Sequence, residues 1–180
     1  MPLFVLSLVS KGGVNTLYAL QQQANLQPGG VQPVLRQLER DGLLVRSDEG
    51  KRRRRAMVVT EKGEAILAAH WHGCLDLHWD VESVLRAATV ALLMDDPRVA
   101  SAYLLNMACE YDRKSSGSRT GDPDDRASLV EWYGYMRTHC ETSRLQSAAQ
   151  ALRALAKTIE ASIKVQSRTN EPQAEWGKEQ

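Results

Sequence analysis

The sequence predicts a mainly α-helical fold with one small β-hairpin, split into two regions of different character. Three observations predict it. Apolar residues recur at helical spacing over most of the 180 residues. Two short apolar segments, 43–45 and 56–60, flank the turn Ser47-Asp48-Glu49-Gly50 and the run Lys51-Arg52-Arg53-Arg54-Arg55, the pattern of a hairpin with a charged tip. The formal net charge of +1 hides an asymmetry: residues 1–72 carry 10 Lys plus Arg against 6 Asp plus Glu, and residues 73–180 carry 13 against 16. A basic front and an acidic rear imply that only the front meets a polyanion.

The elements follow in order. Leu3 to Ser10 is apolar enough for a short buried helix, ended by Gly12 and Gly13. Asn15 is the expected cap of a second helix carrying Leu17, Tyr18, Leu20 and Ala24, which stops near Asn25. A third helix opens at Gln27-Pro28-Gly29-Gly30 and presents Val31, Val34, Leu35 and Leu38 at helical spacing. Pro28 and Pro33 suit only its first turn or so, and Gly42 supplies its stop. After the hairpin, Thr60 with Glu61 and Glu64 reads as a helix start, with Thr60 capping and acidic residues in the first turn. Gly73 bends or breaks that helix, and Leu75 to Met94 continues the helical pattern. Asp96-Pro97 opens another helix, to about Tyr111. Arg113 to Gly121 is a polar loop, and Asp122-Pro123-Asp124-Asp125 begins a long final helix. Its stripe is Leu129, Tyr133, Met136 and Cys140, then, after a slip near Ser143, Leu145, Leu152, Leu155, Ile159 and Ile163.

Three short helices followed by a hairpin with a basic tip is the order of a winged helix-turn-helix. The physics fits duplex DNA. The third helix can enter the major groove with its first residues on base edges. Gly29 and Gly30 leave backbone amides uncovered at the positive end of the helix dipole, where a phosphate can sit. Gln32 offers an amide that pairs with adenine, and Arg36 a guanidinium for guanine or phosphate. The expected DNA-binding set is therefore Gln27, Gly29, Gly30, Gln32 and Arg36 on the third helix and Lys51, Arg52, Arg53, Arg54 and Arg55 on the wing.

Residues 3–67 resemble the PadR family of bacterial winged-helix transcription regulators. The resemblance rests on Gly13-Val14-Asn15-Thr16-Leu17-Tyr18-Ala19-Leu20, on the Pro28-Gly29, Pro33, Leu35, Leu38-Glu39 and Gly42-Leu43 spacing, and on Arg52 to Arg55 leading into Val59-Thr60-Glu61-Lys62-Gly63. Gln32 stands where the family has a tyrosine, Ala56 and Met57 where it has aromatic residues, and Leu17 where it has a glycine. The resemblance implies a homodimer, paired through a C-terminal helical region, that binds a two-fold-related operator, usually as a repressor.

His70, Cys74 and His78 stand at i, i+4 and i+8 and could ligate zinc, but Gly73 interrupts the helix and no fourth ligand is evident, so no metal and no cofactor are expected. Trp71 and Trp79, two turns apart, could stack on a planar effector; core packing is the competing role. No phosphate loop, nucleophile elbow, zinc-protease helix or Cys-x-x-Cys pair occurs, so no enzyme is expected. No apolar run approaches the roughly 20 residues of a bilayer span. The short apolar start lacks a basic flank and a cleavage site, so a secretory signal is not expected. Three scattered cysteines argue against a disulfide framework and for a reducing cytoplasm.

The expected organisation is a winged-helix DNA-binding domain over 1–72, a helical dimerisation domain over 73–166 and a disordered tail over 167–180. The expected function is sequence-specific binding of double-stranded DNA by a dimeric repressor released by a small-molecule effector. The alternatives are a winged-helix protein-interaction module and a ligand or metal sensor with weak DNA binding.

Overall fold

Pro2 occupies the first turn of α1 (Pro2–Ser10), where its missing amide costs nothing. In the computed structural model, which describes residues 1–24, 26–47, 56–78, 80–117 and 128–169, six consecutive α1 residues from Phe4 to Val9 are buried. A helix covered on every face must lie inside its domain. Accordingly α1 packs against α3 (Pro28–Arg40), α4 (Glu61–His70), α5 (Val81–Leu93) and the strand β2 (Ala56–Val59). Ser7, buried among apolar side chains, satisfies its hydroxyl by donating to the Phe4 carbonyl at 2.9 Å.

The chain is mainly helical, with one two-stranded antiparallel sheet among the described residues. In it β1 (Leu44–Ser47) pairs with β2 in the register Leu44↔Val59, Val45↔Val58, Arg46↔Met57 and Ser47↔Ala56. Leu44 and Met57 are buried, while the opposed pair Val45 and Val58 is exposed, as strand alternation requires. Between α1 and α3 lies α2 (Leu17–Gln23). Its cap is Thr16, whose hydroxyl accepts from the Ala19 amide at 3.1 Å, not the expected Asn15. The carbonyl of Asn15 is drawn to the hairpin instead, where it accepts from the Met57 amide at 2.7 Å.

Thr60 does cap α4, accepting from the Gly63 amide at 3.1 Å and donating to the Gly42 carbonyl at 2.7 Å. The helix ends in a 3-10 turn, Trp71–Cys74. The expected helix over 75–94 starts only at Val81. Asp80 accepts from the Ser83 amide at 2.8 Å and begins α5 there, and this bond holds the Asp80 carboxyl below its ordinary value. The Asp76 carbonyl, which a continuous helix would use internally, accepts instead from the Tyr103 hydroxyl at 3.0 Å.

At the end of α5, Asp95 adopts φ of +61°, and the amides of Asp95 and Asp96 return to the carbonyls of Leu92 and Ala91. This is the left-handed termination usually given to glycine. Asp96 then caps α6 (Pro97–Gly117) as expected, accepting from the Val99 amide at 3.1 Å. The helix runs six residues past the expected end at Tyr111, into the segment expected to be a loop. Arg113 reaches back to Glu110 at 2.7 Å, and the Ser115 and Ser116 hydroxyls both donate to the Asp112 carbonyl at 2.9 Å, so these polar side chains find partners within the helix itself.

The final helix, α7 (Leu129–Thr169), starts later than Asp122. Its start is a reciprocal capping box: the Glu131 carboxylate accepts from the Ser128 amide at 2.7 Å, and the Glu131 amide donates to the Ser128 hydroxyl at 3.3 Å. Residues 118–127, and 170–180 of the expected tail, lie outside the described residues. The buried stripe of α7 is Leu145, Ala148, Ala149, Leu152 and Ala156. Tyr133, Met136 and Leu155, on the expected stripe, are exposed.

Contacts divide the chain into two compact units, Met1–Tyr103 and Leu104–Gln180. In the second, an Arg153–Asp112 ion pair ties α7 to α6. No helix among the described residues is long and apolar enough to cross a membrane.

Candidate nucleic-acid interface

Helix α3 has two faces. Val31, Leu35 and Leu38, at i, i+4 and i+7, are buried, and the helix packs on α1 and β1. The opposite face is exposed and carries Gly29, Gln32, Pro33, Arg36 and Arg40. Its C-terminal end is fixed by Gly42, with φ of +70°. The Gly42 amide donates to the Glu39 carbonyl at 3.1 Å and the Leu43 amide to the Leu38 carbonyl at 2.9 Å. That termination turns the chain directly into β1, and α3 packs on this strand.

The N-terminal end is built differently. Gln27 has extended backbone angles and its carbonyl accepts from the Gly30 and Val31 amides at 3.1 and 3.2 Å, but its side chain makes no cap. Side chains of Thr16, Thr60, Asp80, Asp96 and Ser128 cover the starts of the other interior helices. A Cβ added at Gly29 or Gly30 would meet nothing within 4 Å. Internal packing therefore does not require glycine at either place, although glycine inside a helix costs about 1 kcal/mol relative to alanine. Pro33 falls in the second turn, further in than the sequence reading allows, so the Gly29 carbonyl has no amide four residues on.

The charges on this face are cationic. Arg36 and Arg40 are exposed, and the Arg40 Nε donates to the Arg36 carbonyl at 3.3 Å. The carboxylate of the helix, Glu39, is paired with Arg46 on β1. Arg46 is absent from the expected site set. It meets Glu39 only because the Gly42 termination folds the strand back beside the helix, and no local spacing rule reveals that. The expected wing contacts Lys51, Arg52, Arg53, Arg54 and Arg55 lie outside the described residues; β1 and β2 lead into that segment from Ser47 and Ala56.

The remaining candidates separate. Trp71 is buried and stacks on His72, with ring centroids 3.7 Å apart. Trp79 lies outside the described residues. His70, Cys74 and His78 do not share one helical face, because the chain leaves the helix at Trp71; the His78 ring instead meets the Cys74 carbonyl at 3.3 Å. Among the described residues no group of three or more His, Cys, Asp or Glu is placed to hold a metal ion. Burial pushes the Cys74 thiol above its ordinary value, away from the activated range. The chain matches no protein-family model and no curated protein.

Proposed function

We propose that the protein binds double-stranded DNA to regulate transcription, and that it is not an enzyme. It is a cytoplasmic homodimeric repressor with a winged helix-turn-helix followed by a helical dimerisation region, and a small-molecule effector releases it. The observation that carries this reading is the outer face of α3. Its start bears two glycines that packing does not need and no side-chain cap, and Gln32, Arg36 and Arg40 follow on the same exposed side. Pro28 has no N–H and the Gln27 carbonyl holds the Gly30 and Val31 amides, which leaves the Gly29 amide, at the positive end of the helix, to suit a phosphate, while an amide and a guanidinium within the next two turns suit base edges. The Arg46–Glu39 pair offsets the carboxylate that α3 itself carries. The basic run 51–55, joined to this face through the hairpin, and the PadR-like residues support the same reading.

Dimerisation is supported by the start of α7, where Val130 is 79% and Tyr133 69% exposed beside the exposed Trp132 and Met136. Contiguous large apolar groups of this kind mark interfaces. The test is selection from a random duplex pool at two salt concentrations. A two-fold-related sequence should be enriched, and its affinity should fall steeply with salt. Failure to retain any duplex at either salt overturns the reading.

One observation favours protein docking instead: Val45 and Val58, directly paired on the outer hairpin face, are 49% and 50% exposed. That reading predicts no enriched duplex, and a bound protein lost on Val45→Ser with Val58→Ser.

A further inference from the structure

A cavity of about 370 Å³ opens in the first unit between the start of α1, the 3-10 turn and α5. Its size lies in the range of small-molecule sites. Leu3, Phe4, Ala87 and Val90 give it an apolar wall, and Cys74, His78, Ser83 and Arg86 its polar groups. Among the described lining residues there is a guanidinium and an imidazole but no carboxylate. The Arg86 guanidinium carbon stands 5.9 Å from the centre of the Phe4 ring and is paired with Glu82, one turn earlier on α5. Glu82 is largely exposed, and exposed i, i+4 pairs are weak, so a competing carboxylate can take Arg86 at little cost.

A second cleft also borders Arg86. It is lined by Met1, Leu26, Gln27, Gly30, Glu82 and Arg86, and so reaches the start of α3. The two hollows share Met1 and Arg86.

We propose that the cavity binds a small apolar carboxylate, with its chain on Phe4, Ala87 and Val90 and its carboxylate on Arg86, and that this binding is transmitted to the start of α3 through Glu82. When Arg86 turns to the ligand, Glu82 loses its counter-ion. An unpaired carboxylate then borders Gln27 and Gly30, the end of α3 that faces phosphate in the DNA reading. The ligand therefore lowers affinity for DNA. Binding at the cavity stands without the DNA reading; the coupling rests on it.

Cys74 gives a direct readout of occupancy, because it lines the cavity while Cys109 and Cys140 are exposed on other helices. The full chain is alkylated with N-ethylmaleimide at one fixed alkaline pH, through the thiolate fraction of each cysteine, with octanoate as the probe and octanol as its uncharged control. At ten times its dissociation constant octanoate should slow Cys74 labelling about tenfold and leave Cys109 and Cys140 unchanged. Octanol should protect far less, and Arg86→Gln should remove the octanoate effect. Equal protection by octanoate and octanol, or none by either, overturns the site, and this comparison needs no variant to fold. On a duplex that the protein retains, octanoate should weaken binding about fivefold, and Glu82→Gln should abolish that response. Protection of Cys74 without any change in DNA affinity overturns the coupling. If no duplex binds, the DNA reading fails, and the thiol comparison still decides the site.

Discussion

Gly63→Ala tests whether the seat of α4 on the hairpin is what holds the two together. Gly63 is the third residue of α4 and is buried. A Cβ there would overlap the Leu43 carbonyl oxygen and approach Val59 Cγ1 to 2.6 Å. In an unobstructed helix the substitution would stabilise by about 0.5–1 kcal/mol. Here the oxygen belongs to backbone that already accepts from the Thr60 amide at 3.1 Å, and Thr60 in turn caps α4 through the Gly63 amide. The clash cannot be relieved by turning a side chain. Overpacking of this kind costs about 1–3 kcal/mol, and a weakened Thr60 cap adds about 1 kcal/mol. Against the alanine gain, the net loss is about 2 kcal/mol, which corresponds to a fall in Tm on the order of 10 °C for a domain near 100 residues. Gly134→Ala provides the control. Gly134 lies inside α7, where an added Cβ meets nothing within 4 Å, so alanine should stabilise by about 0.5–1 kcal/mol. Urea unfolding of both variants separates the two effects. A Gly63→Ala protein as stable as the parent would refute the packing argument.

Asp80→Ala should cost about 1 kcal/mol at neutral pH through loss of the α5 cap. Because the folded carboxyl titrates below its ordinary value of 3.8, its contribution is present above that value and is lost as pH falls through the lower folded value; the gap between parent and variant should close in that acid window, read by thermal melts across pH. Asp95→Gly should stabilise by about 0.5–1 kcal/mol in urea unfolding, since glycine adopts the left-handed backbone without strain. Gln32→Ala should relax the sequence selected from a random duplex pool more than it lowers affinity for random DNA; an unchanged preferred sequence removes Gln32 from base reading. Replacing Arg52, Arg53, Arg54 and Arg55 with glutamine should weaken binding to every duplex and flatten its salt dependence, and an unaltered slope removes the wing from the interface.

What the sequence determined by itself is what lies within about one helical turn of its cause. Thr60 and Asp96 cap the helices they precede, Gly42 stops α3, and the spacing of Val31, Leu35 and Leu38 names the buried face of α3, because caps, left-handed stops and amphipathic stripes act over three to seven residues. The two strands were legible from composition, while their register, Leu44 opposite Val59, came only from the structure. The tertiary structure decided whatever depends on a distant partner. Asn15 yields the capping role to Thr16 because Met57 takes its carbonyl. Residues 75–78 stay out of a helix while Tyr103 holds the Asp76 carbonyl. Ala148, Ala149 and Ala156, too small to register as a stripe, are buried in α7, while Tyr133 and Met136 are exposed. The candidate interface shows the same division. Gln32 and Arg36 could be named from helical spacing. The pairing of Glu39 with Arg46, the tight seat of Gly63 and the two hollows that share Arg86 arise only when segments far apart in the chain are brought together by burial of the core.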